Sequence, residues 1–216
     1  MLDSAPSGSD NLAVIDSESE PVLVIACGAL SHEIEQLKTL NGWSHMKVQC
    51  LDADLHNRPQ LIPEKLRQKI NQFRDQYDNI FVAYADCGTA GAIDKVLLEE
   101  GIERLPGAHC YSFYAGEAVF NQLAEDNPAT FYLTDFLARH FERLVIKGLK
   151  LDLYPQLHED FFGNYQRVVY LSQRQDESLV EMARDAADFL GLEFEHRHSG
   201  YGDLEKSLQT QVIAFG

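Results

Sequence analysis

The run Pro21-Val-Leu-Val-Ile-Ala-Cys27, broken at once by Gly28, decides how the chain folds. It is a continuous apolar stretch between a proline and a glycine, of strand rather than helix length. Apolar-polar alternation would mean a strand with one wet face. Its absence predicts a strand buried on both faces, as in a parallel sheet covered by helices. Outward from this run, apolar stretches alternate with helical patterns. A helix is expected around His32 to Leu40, a second strand over Met46 to Leu51 and an amphipathic helix over Pro63 to Tyr77. Leu66, Ile70 and Phe73 share one face of that helix. Asn79 to Ala85 reads as the third strand, Gly88 to Gly91 as a tight turn and Ala92 to Glu100 as a helix. His109 to Phe113 reads as a short fourth strand.

The middle of the chain reads as helical, over Glu117 to Glu125 and Ala129 to Leu144, with Asn127-Pro128 as the turn between. Phe161 to Tyr165 reads as a short helix or an aromatic loop. Val168 to Leu171 is expected as a strand, Asp176 to Leu190 as a helix stopped by Gly191, and Glu193 to His198 as a further strand. A Gly200-Tyr201-Gly202 turn, a short helix over Leu204 to Leu208 and a last strand over Gln211 to Phe215 complete the pattern. The expected fold is α/β and Rossmann-like: a mostly parallel sheet with helices on both faces. It forms one domain over 21–216, with lobes 21–115 and 165–216 around a central cleft and a helical middle over 116–164. Residues 1–20 are rich in Ser, Asp, Glu, Pro and Gly and read as a mobile acidic tail.

Composition narrows the function. With 45% hydrophobic and 24% charged residues, the chain has ordinary globular composition. The formal charge of −16 disfavours nucleic-acid partners. No apolar run approaches the roughly 20 residues of a membrane span, and the first 20 residues lack the pattern of a secretory signal. A cytoplasmic location and no membrane partner are therefore expected. The 4 cysteines, each more than 20 residues from the next, read as reduced thiols.

In open α/β sheets, ligands bind beyond the carboxyl ends of the strands. Those ends here carry Cys27-Gly28, His56-Asn57-Arg58-Pro59, Asp86-Cys87-Gly88-Thr89 and His109-Cys110-Tyr111. Cys27, Cys87 and Cys110 with His56 form a candidate metal set, thiolate and imidazole being what zinc prefers. Three cysteines also suit an iron–sulfur cluster. The alternative is that these are small buried thiols packing the sheet. Cys50, mid-strand, is assigned to the core. The Gly-bearing turn after Asp86 sits where a helix start binds anions and acidifies a thiol. Gly88, Thr89 and Arg58 are thus candidate cofactor-binding residues, and Cys87 and Asp86 candidate catalytic ones. Arg58 is a clamp for carboxylate or phosphate. His32 lies within reach of Cys27. His109 would point away from the site if Cys110 points in, because strand neighbours alternate. Asp135, after Thr134, is a carboxylate in an apolar setting that needs a partner. Gln173 and Tyr201 are placed to close over the cleft. His45, His140, His158, His196 and His198 have no supporting pattern.

The segments Ala26 to Leu30, Leu55 to Pro59, Tyr84 to Thr89, Gly107 to Tyr111, Thr130 to Phe136 and Tyr170 to Gln173 occur in an order that resembles one bacterial and archaeal family. That family is the domain of unknown function numbered 1638. The resemblance runs from about Pro21 to the C-terminus and departs at Ala85, where the family pattern has glycine. It implies companionship with corrinoid-dependent methyl-transfer systems in some microbes, and assigns no catalytic residue. Three functions are open on this reading. One is a zinc or iron–sulfur protein serving methyl-transfer or one-carbon metabolism. Another is a metal-free enzyme with Cys87 as nucleophile. The third is an accessory or cofactor-binding protein. The partner is a small-molecule substrate or a corrinoid methyltransferase protein, which would bring the corrinoid. Aromatic stretches such as Phe161-Phe162 are compatible with a homodimer.

Overall fold

The computed structural model describes residues 20–214. The acidic tail expected over 1–20 lies outside them except for Glu20. The first lobe is a parallel sheet in the order β2-β1-β3-β4, built from β1 (Val22–Cys27), β2 (Met46–Leu51), β3 (Asn79–Ala83) and β4 (Glu103–Arg104). All six residues of β1 are buried, as a strand covered on both faces requires. The crossovers are α1 (Ser31–Leu40), α2 (Ile62–Phe73) and α3 (Ala92–Glu100). They bury Ile34 and Leu37, Leu66 and Ile70, and Ile93 and Leu97 in one core. β2 and β3 do not pair with each other; both pair with β1, in parallel register. This brings the exits of β1 and β3 side by side.

The second lobe is a separate parallel sheet, β5-β6-β7, of β5 (Thr130–Thr134), β6 (Arg167–Ser172) and β7 (Glu193–His198). Four sequence expectations change here. His109 to Phe113 is no strand: β4 precedes it, and the chain turns into a short helix, α4 (Ser112–Ala115). Ser112 fixes that turn by donating its hydroxyl to the His109 carbonyl at 2.6 Å. The expected helix over Ala129 to Leu144 is split. Its first five residues are β5, α6 (Asp135–Arg139) follows, and Glu142–Lys147 is a π-helical turn. The middle is therefore not all helical, and α5 (Glu117–Asp126) and α7 (Leu157–Phe162) flank a strand. The expected last strand from Gln211 is instead the end of α9 (Gly202–Ala214), and Phe215 lies outside the described residues. α8 (Glu177–Leu190) ends as expected on left-handed Gly191.

α9 returns to the first lobe, where Leu204 and Leu208 are fully buried. Its first residue, Gly202, has φ +50. A Cβ there would stand 2.2 Å from the Phe113 carbonyl oxygen, so only glycine permits this docking. No helix among the described residues is long and apolar enough to cross a membrane.

Candidate thiol site between the two sheets

Three backbone devices bring the thiols together. Cys27 ends β1 and begins the 3-10 turn Gly28–Leu30, so its sulfur sits at the start of a helical segment. After β3 the chain makes a turn in which Cys87 (φ +48) and Ala90 (φ +53) are left-handed without being glycine. Such residues are sterically strained by roughly 1–2 kcal/mol each. Asp86 offsets that strain. Its carboxylate accepts from Thr89 Oγ1 at 2.8 Å, Ala90 N at 3.1 Å and Gly91 N at 2.7 Å. The loop after β4 is the third device. Asp86 N donates to the Gly107 carbonyl at 3.1 Å and Cys87 N to the Ala108 carbonyl at 2.8 Å. This pins Cys110 beside Cys87.

The Sγ atoms of Cys87 and Cys110 are 2.9 Å apart, and Ala85 N–H points at the Cys110 sulfur at 3.5 Å. Cys27 is within hydrogen-bonding reach of Cys110. The Cys110 thiol donates to Cys27, which lowers the Cys27 thiol to about 7 against the opposing effect of burial. The Ala29 N–H and the Tyr84 hydroxyl add to the lowering. Cys110 is pushed well above the ordinary thiol range because it donates to both neighbours. The Tyr84 hydroxyl, beside Cys27, has no hydrogen bond of regular geometry, and burial first, then the thiolate, raises it.

These groups open into a cleft of about 340 Å³ between the lobes. Its second-lobe wall includes Phe131, Tyr132 and Phe136. Its lining contains no lysine, arginine, aspartate or glutamate. Two histidines face it. His109 stacks on Tyr111 (4.9 Å, 6°), and Tyr111 on Tyr132 of β5 (5.4 Å, 19°), so one column of rings joins the lobes. His56 is solvent-exposed at the mouth, though surrounded by protein. Burial depresses both imidazoles below the ordinary histidine value, and His109 adds to the effect at His56. The Tyr114 hydroxyl faces the same cleft without a hydrogen-bond partner, and those of Tyr84 and Tyr132 make none of regular geometry. Buried polar atoms are rarely left so.

The structure thus gathers Cys27, Cys87, Cys110, His56 and Gly88 around one space. His109 joins them because it lies in a turn rather than a strand, so alternation does not apply. Asp86 and Thr89 are engaged in holding their own turn. Arg58 faces a neighbouring groove. Cys50 is half-buried in the wall of that groove, and desolvation raises its thiol. His32 is exposed and bonded to Gln36 at 3.1 Å. Tyr201 spans to Gln36 through its hydroxyl. Asp135 finds its partners in Tyr170, Gln173 and Arg174. The tyrosine hydroxyls escaped the sequence reading, since nothing in their local pattern marks them as cleft residues. Among the described residues, no three histidine, cysteine or acidic side chains stand at metal-holding geometry as placed.

Two parallel sheets that meet at a thiol-bearing cleft define an α/β protein of Rossmann-like build. Within that class the chain belongs to the family described as protein of unknown function (DUF1638), whose model matches residues 50–208. The matched span holds Cys87 and Cys110 and begins after Cys27. Comparison with curated proteins and with solved structures gave no match.

Proposed function

We propose that the cleft binds one zinc ion through Cys27, Cys87 and Cys110 and uses it on a substrate thiol or water, in methyl-transfer or one-carbon chemistry. The observation that carries this reading is a central Cys110 thiol flanked by Cys87 and Cys27 inside a cleft lined by no charged side chain of either sign. Ionised thiolates there need a cation, and the lining supplies none. Distance favours a single ion. Two thiolates sharing one zinc at 2.3 Å lie about 3.8 Å apart. Cys87 and Cys110 would part by less than an ångström from 2.9 Å to reach it. A multi-iron cluster would have to drive all three sulfurs further apart. Zinc held there would supply Lewis acidity that eases deprotonation of a substrate thiol or water. His56, which completes the ligand set expected from the sequence, and His109 line the same cleft, and the one not bound to the metal would take the proton released. The reaction class is carried only by what the family resemblance implies, company with corrinoid methyl-transfer systems, in which a corrinoid protein would be the methyl source.

A second reading, a metal-free thiol enzyme, draws on the lowered Cys27 thiol. Its nucleophile is then Cys27, rather than the Cys87 favoured by sequence. Elemental analysis of untagged protein purified without oxygen separates the two. About one zinc per chain, lost in folded Cys27→Ser, Cys87→Ser and Cys110→Ser variants, is the expected result. Protein without stoichiometric metal overturns the zinc reading.

A further inference from the structure

The segment Ala53 to Ile62 is a ridge with two faces. Its two 3-10 turns, Ala53–Asn57 and Pro59–Leu61, repeat every three residues. Ala53, His56, Pro59 and Ile62 accordingly face the thiol cleft. Asp54, Asn57, Arg58 and Leu61 face a second cavity of about 680 Å³ on the other side.

That second cavity collects cations: Arg58 from the ridge, Lys65 and Lys69 from α2, and Arg143 from the second lobe. Arg143 is committed to Asp54 at 3.0 Å. Arg58, Lys65 and Lys69 make no ion pair among the described residues. The chain has 34 acidic against 18 basic residues, so three unpaired bases in one groove run against its charge. Lys65 and Lys69 stand one turn apart on α2, a like-charge pair that disfavours the helix. The acids in the same wall are occupied: Asp54 with Arg143, and Asp52 capping Asp54 N at 3.1 Å. Lys65 meets only a neutral acceptor, the Gln68 Oε1 at 3.4 Å, while the Gln68 amide donates to Glu64 at 3.1 Å.

We infer that this groove is a binding site for a small molecule carrying two or more negative charges, as phosphate or carboxylate groups. A recess of this volume suits a small ligand. The surrounding charge of −16 repels extended polyanions and anionic membranes. Three cations at separate points recover affinity only for an anion with several charged oxygens. The inference is independent of what the thiols hold.

The test is calorimetric titration of the full chain, at low ionic strength, with pyrophosphate and separately with citrate. One site per chain for at least one probe is expected. Arg58→Gln, Lys65→Gln and Lys69→Gln should each weaken it about tenfold. Tighter pyrophosphate binding assigns phosphate, and tighter citrate binding assigns carboxylate. Lys47→Gln and Lys95→Gln, which remove exposed cations outside the groove, should leave affinity unchanged. Three results would overturn the inference: neither probe binding, the two control substitutions weakening binding as much, or binding lost in Cys27→Ser, which would put the anion at the thiols instead.

Discussion

The Tyr170 hydroxyl donates to Asp135 Oδ1 at 2.7 Å, joining β6 to the first residue of α6 where almost no solvent reaches. The same carboxylate accepts from Gln173 N at 3.0 Å and from Arg174 N at 3.1 Å. It therefore ties the carboxyl end of β6 to the start of α6. Replacing Asp135 with alanine strands several buried donors. It should destabilise the fold by about 3–5 kcal/mol. Tyr170→Phe removes one donor and should cost about 1 kcal/mol. Urea unfolding of both variants measures the difference. Equal losses would show that the carboxylate is not the organising group.

Glu33 on α1 is 2% exposed, and its Oε2 has no partner. Burial raises its carboxyl to about 7, with Asp135 adding and Arg174 and Arg139 opposing. The native state then holds a proton that the unfolded chain releases near the ordinary value of 4.5. Stability contributed by this group falls as pH rises from 4.5 to 7, and the full penalty applies above 7. Glu33→Gln should thus stabilise the protein by about 3 kcal/mol at pH 8 and leave it unchanged at pH 4. Denaturant midpoints at the two pH values decide it.

In metal-free protein, Cys27 should be alkylated by iodoacetamide with a half-maximal rate near pH 7, the value to which Cys110 lowers it. Cys110→Ala removes the donated hydrogen bond and should move that midpoint up, toward 9.0. Mass spectrometry of peptides quenched across pH follows each thiol. An unmoved midpoint would mean that Cys110 does not donate to Cys27.

Gly28 packs where β1 and β2 exit together. A Cβ there would meet the Leu51 carbonyl oxygen at 2.8 Å and Ala53 N at 3.0 Å, both rigid backbone. Gly28→Ala should therefore force apart Cys27 and the ridge that carries His56. The expected result is a loss of about 1–3 kcal/mol and, on the proposed zinc reading, weaker metal retention, read by thermal unfolding and metal analysis.

Much of the first lobe was legible because β1 and its crossovers have unambiguous periods, and the glycine stops are local. Convergence of the cysteine-bearing ends was expected to need the second and third strands as parallel neighbours; they are not, and the exits of β1 and β3 meet because β1 lies between β2 and β3. Cys110 reaches the site by another route. Its position depends on backbone bonds from Asp86 and Cys87 to Gly107 and Ala108, which no periodicity encodes. The aromatic run Thr130 to Thr134 shows the same limit. Buried strands and buried helices share apolar spacing over five residues. What separates them here is the Thr134 side chain accepting from Leu137 N, which marks the true helix start. Arg58 was expected beside the thiols as an anion clamp, but the threefold repeat of its turn aims it at the other cavity.

The return of α9 sets an order of events during synthesis. The second sheet, β5 to β7, is contiguous in sequence and can close as soon as His198 has emerged. The first sheet emerges earlier but waits for Leu204 and Leu208 to fill its core. A ribosome-bound chain halted between those points would carry a finished second lobe beside an uncapped first one. Phe113 and Tyr114, which α9 packs against, would then be open to chaperones.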